Sequence, residues 1–351
     1  MLINRSDRLC ERLHDNEAVF ISGYPNIFYY SGFTSEDAFL LISHSGKYII
    51  TDSRYTIQAH EQTTGFEVID IKEGFEKIFS KIPEKYIGYE EMVMNVAEYK
   101  KLRMKLRSNQ DFVEMQNLIN EPRKYKESAE IKKIAEAEKI GDKAFEYILN
   151  KISAGMTEKE IALEIEIFMK KQGASALSFD TIAASGIRSA MPHGVASDKT
   201  IEKGDFLTLD FGCVFEGYCS DMTRTVVVGK ANEKQREIYN TVLTAQKTAI
   251  NSIAVGIPCR KIDEAARRII TDAGFGEHFG HSLGHSLGIE IHENPVFSPK
   301  CETKVQNGNV ITVEPGIYID GFGGVRIEDV IAVEYDTVIN LTSSPKELIE
   351  L

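Results

Sequence analysis

The sequence predicts an α+β protein with two domains, a small mixed α/β domain over residues 1–122 and a larger one over residues 126–351. Two observations support this prediction. Residues 120–128 (NEPRKYKES) place a proline and three basic residues between two parts of different character. The second part also repeats itself, because residues 205–212 (DFLTLDFG) match residues 309–316 (NVITVEPG) at an offset of 104. Two such copies predict internal pseudo-twofold symmetry.

The first domain is predicted from short apolar runs that alternate with helical stretches. A helix is expected over residues 97–107. Strands are expected over residues 18–21, 38–42, 48–50 and 68–71.

The second domain is predicted to begin with two helices. Residues 127–149 carry apolar side chains on one face at the helical period. Thr157 and Glu160 have the spacing of a capping box, which opens a second helix that ends at Gly173. The repeat includes these helices, because Gly173 aligns with Gly274 at an offset of 101. Each half is therefore predicted to consist of helices followed by a hairpin.

Each predicted hairpin carries two carboxylates. Asp210 and Glu314 occupy the same place in the two copies, and Asp221 and Glu328 follow them. A single Asp of this kind has an ordinary alternative as a turn or cap residue. Its presence in both copies argues against that alternative. Four carboxylates gathered in a cleft would repel one another strongly without a dication.

The first hairpin has a predicted register. A two-residue turn at Glu216 and Gly217 places residues whose numbers sum to 433 opposite each other, so Asp221 faces Gly212. Asp210 is then one step away on the same face, within reach of a shared ion. The glycine is expected to leave room for that ion.

Histidines precede both hairpins. His281, His285 and His292 lie within residues 279–295 (FGHSLGHSLGIEIHENP), and His193 lies in the loop AMPHGVAS. A lone histidine is usually an ordinary surface or core residue. Three within twelve residues, directly before a carboxylate strand, indicate nitrogen donors for a mixed metal site.

Composition excludes several classes of partner. The formal charge of -12 argues against nucleic acid and anionic membranes, which attract clustered basic residues. The sequence has no run of eighteen apolar residues, and MLINRSDRLCERL lacks the apolar core of a signal peptide, so a cytoplasmic location is expected. Five cysteines at irregular positions indicate reduced and mostly buried thiols.

These motifs together resemble a known family. LDFG…GYCSDMTRT, GHSLG…HENP, TVEPGIY and GVRIED are similar to the pita-bread metallopeptidases, which include aminopeptidase P, prolidase and methionine aminopeptidase. The resemblance covers residues 126–351. GYPNIFYYSGF and TDSRY also resemble the extra N-terminal domain of the aminopeptidase P and prolidase branch. That branch forms homodimers in which a neighbouring N-terminal domain covers the cleft, so a homodimer is expected.

The resemblance implies roles for individual residues. Independently of the resemblance, Arg326 lies two residues before Glu328 and is expected to orient this ligand, and His281 is also expected beside the ligands. His193 and His292 match histidines that the family uses near the substrate. The five implied metal ligands are all present: Asp210, Asp221, His285, Glu314 and Glu328.

The donor set predicts the chemistry. Four carboxylates and an imidazole suit two divalent ions, with manganese as first choice and cobalt, zinc or iron as alternatives. Such a pair activates water for attack on a carbonyl carbon. Glu314 is the candidate to take the water's proton, and His193 and His292 are candidates to stabilise the developing oxyanion.

The predicted function is an exopeptidase that releases the N-terminal residue from a peptide with proline in second position. Some prolidases carry an arginine where this chain has Val296, which favours peptides that continue beyond proline. A strict Xaa-Pro dipeptidase remains the alternative, with Arg326 or an N-terminal-domain residue holding the substrate carboxylate. A metal-independent creatinase-like hydrolase and a non-catalytic peptide-binding module are alternatives of other classes, against which five intact ligands argue.

Overall fold

The structure, a computed structural model, describes residues 5–351. Residues 1–4 lie outside the described part. The predicted first domain and the segment considered as a signal peptide both begin with these residues. The chain divides into two compact units between Arg123 and Lys124.

The first unit contains a six-stranded mixed sheet. Its elements in chain order are α1 (Arg5–Cys10), β1 (Glu17–Ile21), α2 (Tyr24–Ser31), β2 (Ala38–Ser43), β3 (Gly46–Thr51), α3 (Thr56–Gln62), β4 (Glu67–Asp70), α4 (Phe75–Ser80), β5 (Tyr86–Tyr89), α5 (Val96–Arg103), β6 (Asp111–Glu114) and α6 (Gln116–Asn120). The strand order is β4-β3-β2-β1-β5-β6. Strands β1, β2 and β3 pair antiparallel, and the outer pairs are parallel.

Aromatic side chains fill the core of this unit, where Phe20 packs against Phe79 and Phe112. The four predicted strands are present as β1 to β4. The predicted helix over residues 97–107 ends earlier, at Arg103. Beyond it, tight turns with three-residue hydrogen bonds let Leu106 pack against the core, so the last predicted turn of helix does not form.

The second unit consists of two consecutive halves. The first half contains α7 (Ser128–Leu149), α8 (Glu158–Lys171), β7 (Ala176–Leu177), β8 (Ile182–Ser185), β9 (Phe206–Phe211), β10 (Cys213–Phe215), β11 (Tyr218–Cys219) and β12 (Met222–Val227). The second half contains α9 (Glu233–Ser252), α10 (Cys259–Asp272), β13 (Gly284–Ser286), β14 (Glu293–Phe297), β15 (Val310–Val313), β16 (Gly316–Ile319), β17 (Gly323–Arg326), β18 (Asp329–Glu334) and β19 (Thr337–Asn340).

The two halves repeat one design, as the sequence predicts. Helix α8 corresponds to α10 at the offset of 101, and β9 corresponds to β15. The glycines that end the corresponding helices share a left-handed backbone, with φ of 104° at Gly173 and 86° at Gly274. A side chain would be strained at either position, which explains why glycine recurs there.

Local sequence signals form as expected at the helix starts. Thr157 accepts from the backbone of Glu160, and the Glu160 side chain accepts from the backbone of Thr157. Helix α7 also begins with a capping box, formed by Glu127 and Glu130. Each box satisfies amide groups that a helix start leaves without partners.

Each half buries its helix pair against its own strands. In the first half Phe145, Ile161 and Leu209 belong to one apolar cluster, and in the second Tyr239, Ile262 and Ile311 belong to another. Strand order is β12-β9-β8 in the first half and β14-β13-β15-β18-β19 in the second. The strands of the carboxylate hairpins therefore belong to sheets that pack against these helices.

The five cysteines, all within the described part, are free thiols, and four of them are buried. Among residues 5–351, none of the helices has the length and apolar character needed to cross a membrane.

Candidate metal centre

The first carboxylate hairpin has the predicted register. Phe215 pairs with Tyr218, and Asp210 pairs with Thr223, so paired numbers sum to 433 on both sides of the bend. Glu216 and Gly217 form the turn with φ of 47° and 82°. Positive values at both positions are those of a type I′ turn, whose twist matches that of the flanking strands.

Gly212 serves a different purpose from the one expected. A Cβ atom at this position would lie 2.0 Å from the carbonyl oxygen of Ser220 on the opposing strand. The glycine therefore allows the two chains to approach closely, and the expectation that it leaves room for an ion is wrong.

The second hairpin places its carboxylates directly opposite each other. Val313 pairs with Asp329, and Gly316 pairs with Arg326, so the register sums to 642 on both sides of Glu314 and Glu328. The first hairpin differs, because Asp210 faces Thr223, and Asp221 lies two residues before Thr223. The unequal spacings of eleven and fourteen residues therefore correspond to different pairings.

His285 faces this group from β13. Its Nε2 atom lies 3.5 Å from Oδ2 of Asp221 and 3.4 Å from Oε1 of Glu314. Its Nδ1 atom lies 3.2 Å from the carbonyl oxygen of Ser286, so Nδ1 carries the proton in the neutral ring. The lone pair of Nε2 then points at two carboxylates, an arrangement that suits a shared cation.

The group is strongly perturbed electrostatically. Burial raises the pKa of Asp221 and of Glu328 well above the usual range, and the neighbouring carboxylates raise both further. Burial also raises the pKa of Glu314 to about 8, although the charge of Arg326 opposes the shift. The pKa of His285 is lowered to about 4, mainly by burial. Without a cation, the raised pKa values favour the protonated, neutral form of these carboxyl groups.

Unpaired oxygen atoms show that the group fits metal ions. Oδ1 of Asp210 and Oε1 of Glu328 are buried and have no hydrogen-bond partner within the described residues. Asp221, His285 and Glu328 each offer one ligand atom, and these three atoms lie within 4.8 Å of one another. Buried polar atoms normally have partners, and divalent ions bound by carboxylate and imidazole would supply them.

One cavity of about 600 Å³ is lined by all nine residues that the sequence predicts for the site. Those residues are His193, Asp210, Asp221, His281, His285, His292, Glu314, Arg326 and Glu328. His193 and His292 are exposed in its wall, and the ring of His292 lies 4.5 Å from that of His285, centroid to centroid. The two histidines are therefore accessible to a molecule in the cavity.

Arg326 connects two of the carboxylates. Its Nη2 atom donates to Oδ2 of Asp210 at 2.5 Å, and its Nε atom donates to the hydroxyl of Thr223, which donates to Glu328. The expected influence on Glu328 therefore passes through Thr223, and the direct contact with Asp210 was not predicted. The side chain crosses from one half of the repeat to the other, a path that could not be read from its position two residues before Glu328.

His281 is connected to the same arginine through a residue that sequence reasoning missed, Tyr318. The Nδ1 atom of His281 lies 2.8 Å from the carbonyl oxygen of Ser282, so Nε2 accepts from the Tyr318 hydroxyl at 3.0 Å. Tyr318 in turn accepts from Nη1 of Arg326 at 2.8 Å. Burial lowers the pKa of His281 to about 4, so the imidazole is neutral in this series of hydrogen bonds.

Glu138 was missed as well. This fully buried residue of α7 accepts from the backbone amide of Asp221 at 2.8 Å and from the hydroxyl of Thr342 at 2.9 Å. A signal was available, because Glu138 lies four residues after Ile134 and seven after Ile131, within the apolar face of α7. A charged residue in such a face indicates a specific buried partner.

The chain matches two family models and a named relative. The model of metallopeptidase family M24 matches residues 132–335, and the model of the creatinase/prolidase N-terminal domain matches residues 5–125. A protein of Pyrococcus horikoshii named Xaa-Pro dipeptidase is 41% identical, over 95% of this chain and 94% of that protein.

Solved structures are similar over the whole chain. A Xaa-Pro dipeptidase from Bacillus anthracis has a TM-score of 0.95 and 42% identity, covering 99% of each chain. An X-Pro aminopeptidase from Thermotoga maritima has a TM-score of 0.92 and 38% identity, covering 99% of this chain and 100% of that one.

Proposed function

The chain belongs to metallopeptidase family M24, in its prolidase branch with the pita-bread fold, and on that premise we propose that it hydrolyses the bond between an N-terminal residue and a following proline. The observation that carries the proposal is the convergence of four carboxylates and the neutral His285 on one cavity, with buried oxygens that have no other partner within residues 5–351.

Five residues would hold two divalent ions: Asp210, Asp221, His285, Glu314 and Glu328. When bound, such ions supply Lewis-acid activation of a water molecule and of the scissile carbonyl group. The cavity brings donor atoms from both halves of the fold to the same space.

The chain's own side chains would perform the proton transfers. Glu314 has two carboxylate oxygens, so as a metal ligand it would keep one that can take a proton from water and pass it to the leaving nitrogen. His193 and His292 stand exposed in the cavity wall, where they can donate hydrogen bonds to the oxygen of the carbonyl under attack.

The cavity also suits a proline substrate. A bond to proline has no N–H group, so it lacks a donor that enzymes use to bind extended substrates. Apolar side chains supply recognition that does not depend on this donor. In this cavity they include Phe179, Ile182, Ile291 and Val296.

Substrate length separates an aminopeptidase from a strict dipeptidase. Among the described residues that line the cavity, Arg326 is the only Arg or Lys, and it already donates to Asp210, Thr223, Tyr318 and the carbonyl of Pro192. This favours cleavage of longer peptides, because no uncommitted guanidinium lines the cavity to hold a substrate carboxylate. The relatives named Xaa-Pro dipeptidase support the alternative.

Three finer assignments accompany the proposal. Manganese is the first choice of metal, with cobalt, zinc or iron as alternatives, because the donors are mostly carboxylate oxygens. A homodimer is supported by exposed apolar side chains on the loop that carries His193, since Ile187 and Met191 are 61% and 52% exposed. A cytoplasmic location is supported by the five free thiols.

The test begins with protein stripped of metal by a chelator and returned to Mn, Co, Zn or Fe separately. We expect metal-dependent hydrolysis of Xaa-Pro peptides and at most slow hydrolysis of matched Xaa-Ala peptides. Hydrolysis that survives metal removal would favour the creatinase-like class. Protein that binds metal but cleaves no Xaa-Pro peptide would favour the binding module.

A pair of matched variants links activity to the site. Asp221→Asn removes a charged ligand, and we expect it to lower bound metal, measured by elemental analysis, together with kcat. Asp272→Asn makes the same change in charge on the exposed face of α10 and should alter neither quantity. Equal metal content in both variants would contradict the assignment of Asp221.

A further inference from the structure

One buried carboxylate outside the cavity holds both ends of the loop that carries His193. The loop runs from Ser185, the last residue of β8, to Ser197. Glu158, the first residue of α8, is completely buried, and it accepts five hydrogen bonds from this loop.

The two oxygens of Glu158 divide the loop between them. Oε1 accepts from the backbone amide and hydroxyl of Ser185, at 2.7 and 2.9 Å. Oε2 accepts from the backbone amide and hydroxyl of Ser197, at 3.0 and 2.6 Å, and from Nε of Arg188 at 3.0 Å. Arg188 then donates to the carbonyl of Val195 at 2.7 Å. One side chain therefore joins the two ends of the loop.

The middle of the loop is held from the opposite side by strand β17 of the second half. Nη1 of Arg326 donates to the carbonyl oxygen of Pro192, the residue before His193, at 3.1 Å. The backbone amide of Gly324 donates to the hydroxyl of Ser189 at 2.9 Å. The loop is therefore held between α8 and β17, and the exposed imidazole of His193 lines the cavity.

The chemistry of these contacts requires an ionised carboxylate. Burial alone would raise the pKa of Glu158, but hydrogen bonds from Ser197 and Ser185 outweigh it and hold the pKa below the usual value. A carboxylate accepts from all five donors, whereas an amide of the same shape has one acceptor oxygen and directs its own donors at the loop. Glutamine would leave buried amide groups without partners.

The second half of the repeat uses the same device. Asp263 of α10, also buried, accepts from the backbone amide of Leu283 at 3.1 Å. It holds Arg267, which donates to the carbonyl oxygens of Phe279 and His281, both at 2.9 Å. In both halves, a buried carboxylate on the second helix therefore fixes a histidine-bearing loop.

We infer that Glu158 is a positioning residue that acts through His193, by fixing the loop that presents this imidazole to the substrate. This inference rests on the proposed function, because His193 is assigned there to the substrate carbonyl. The role is distinct from general support of the fold. Its effect should therefore appear in kcat and should vanish when His193 is absent.

The test compares Glu158→Gln with a matched control variant, Glu160→Gln, in the same turn of α8. Glu160→Gln removes the same charge from the start of α8, but Glu160 contacts Thr157 and no part of the loop. We expect Glu158→Gln to lower kcat roughly tenfold or more with a smaller change in KM and unchanged bound metal. Glu160→Gln should leave kcat within about twofold of the wild-type value.

A double-mutant cycle separates positioning from stability. In a His193→Ala background, Glu158→Gln should lower kcat by less than about twofold, because the group that it positions is gone. Full additivity of the two effects, or equal losses in Glu158→Gln and Glu160→Gln, would overturn the inference. If Glu158→Gln does not fold, Ser197→Ala removes one of the same hydrogen bonds and enters the cycle in its place.

Hydrogen exchange gives a readout that needs no activity. Amides of residues 186–196 should exchange faster in Glu158→Gln than in the wild type or in Glu160→Gln, and unchanged rates would overturn the inference. A wild-type protein without Xaa-Pro activity would instead refute the proposed function, and the exchange measurement would still decide whether Glu158 holds the loop.

Discussion

The guanidinium of Arg326, at the end of β17, donates to the carboxylate of Asp210 on β9 and so joins the two halves of the repeat. The same side chain donates to Thr223, whose hydroxyl donates to Glu328. One cation therefore orients a predicted metal ligand in each half, directly in one case and through a hydroxyl in the other. This relationship determines where the unpaired oxygens of both carboxylates point.

Replacing Arg326 with lysine should weaken metal binding. An ammonium group cannot reach Asp210, Thr223 and Tyr318 together, because it lacks the planar fork of the guanidinium. We expect Arg326→Lys to lower metal affinity or kcat by about tenfold to a hundredfold, as is usual for partners of metal ligands. Titration calorimetry on metal-free protein measures the affinity. Arg236→Lys, at an exposed ion pair on α9, is the control, and equal affinities in the two variants would contradict the prediction.

His193 and His292 should act on substrate and leave the metal in place. Replacing either with alanine should lower kcat by roughly tenfold to a thousandfold, because a donor to the developing oxyanion is lost. Bound metal, measured by elemental analysis, should remain at the wild-type level. His278→Ala, which lies outside the cavity lining, provides the control. Loss of metal from either variant would assign that histidine to the ligands.

Peptides longer than two residues should be cleaved at least as efficiently as Xaa-Pro dipeptides. Val296 lies in the cavity wall where some prolidases have arginine, and Arg326 is fully engaged. Amidation of the substrate's C-terminus should therefore change kcat/KM by less than about threefold. The comparison requires one dipeptide, its amide and one tripeptide with the same first two residues. Cleavage of the free dipeptide alone would show that a cationic group beyond those described in the cavity lining holds its carboxylate.

The stability of the protein should fall between pH 6.5 and pH 4 in part because of His281. Burial lowers the pKa of this residue from 6.5 to about 4 in the folded state. In that window the unfolded chain binds a proton that the folded chain does not, so the free energy of unfolding decreases as the pH falls.

His281→Gln removes this titration and keeps an acceptor for Tyr318. Between pH 7.5 and pH 5.5 the variant should lose less stability than the wild type, by on the order of 1 kcal/mol, because the other titrating groups are common to both proteins. Urea denaturation at the two pH values measures the difference. Identical losses in both proteins would show that folding does not lower the pKa of His281.

Local signals in the sequence were sufficient for much of the fold. The capping box of Thr157 and Glu160, the glycine pair Gly173 and Gly274, and the register of the first hairpin all formed as predicted. Each depends on residues that are close in the chain, where backbone geometry restricts the outcome to a few arrangements. The offset between the repeats then predicted that the two carboxylate strands would be equivalent.

The sequence thus predicted which side chains gather in one cavity and that each half of the repeat contributes a hairpin with two carboxylates. Three contacts could be seen only in the folded protein: Arg326 donates to Asp210, Gly212 allows the close approach of Ser220, and Glu158 holds the His193 loop. Each of these contacts joins segments that come together only when the helices and sheets of a half, or the two halves, pack. Sequence spacing carries no distance information across such packing, because the approach of distant segments depends on the whole core.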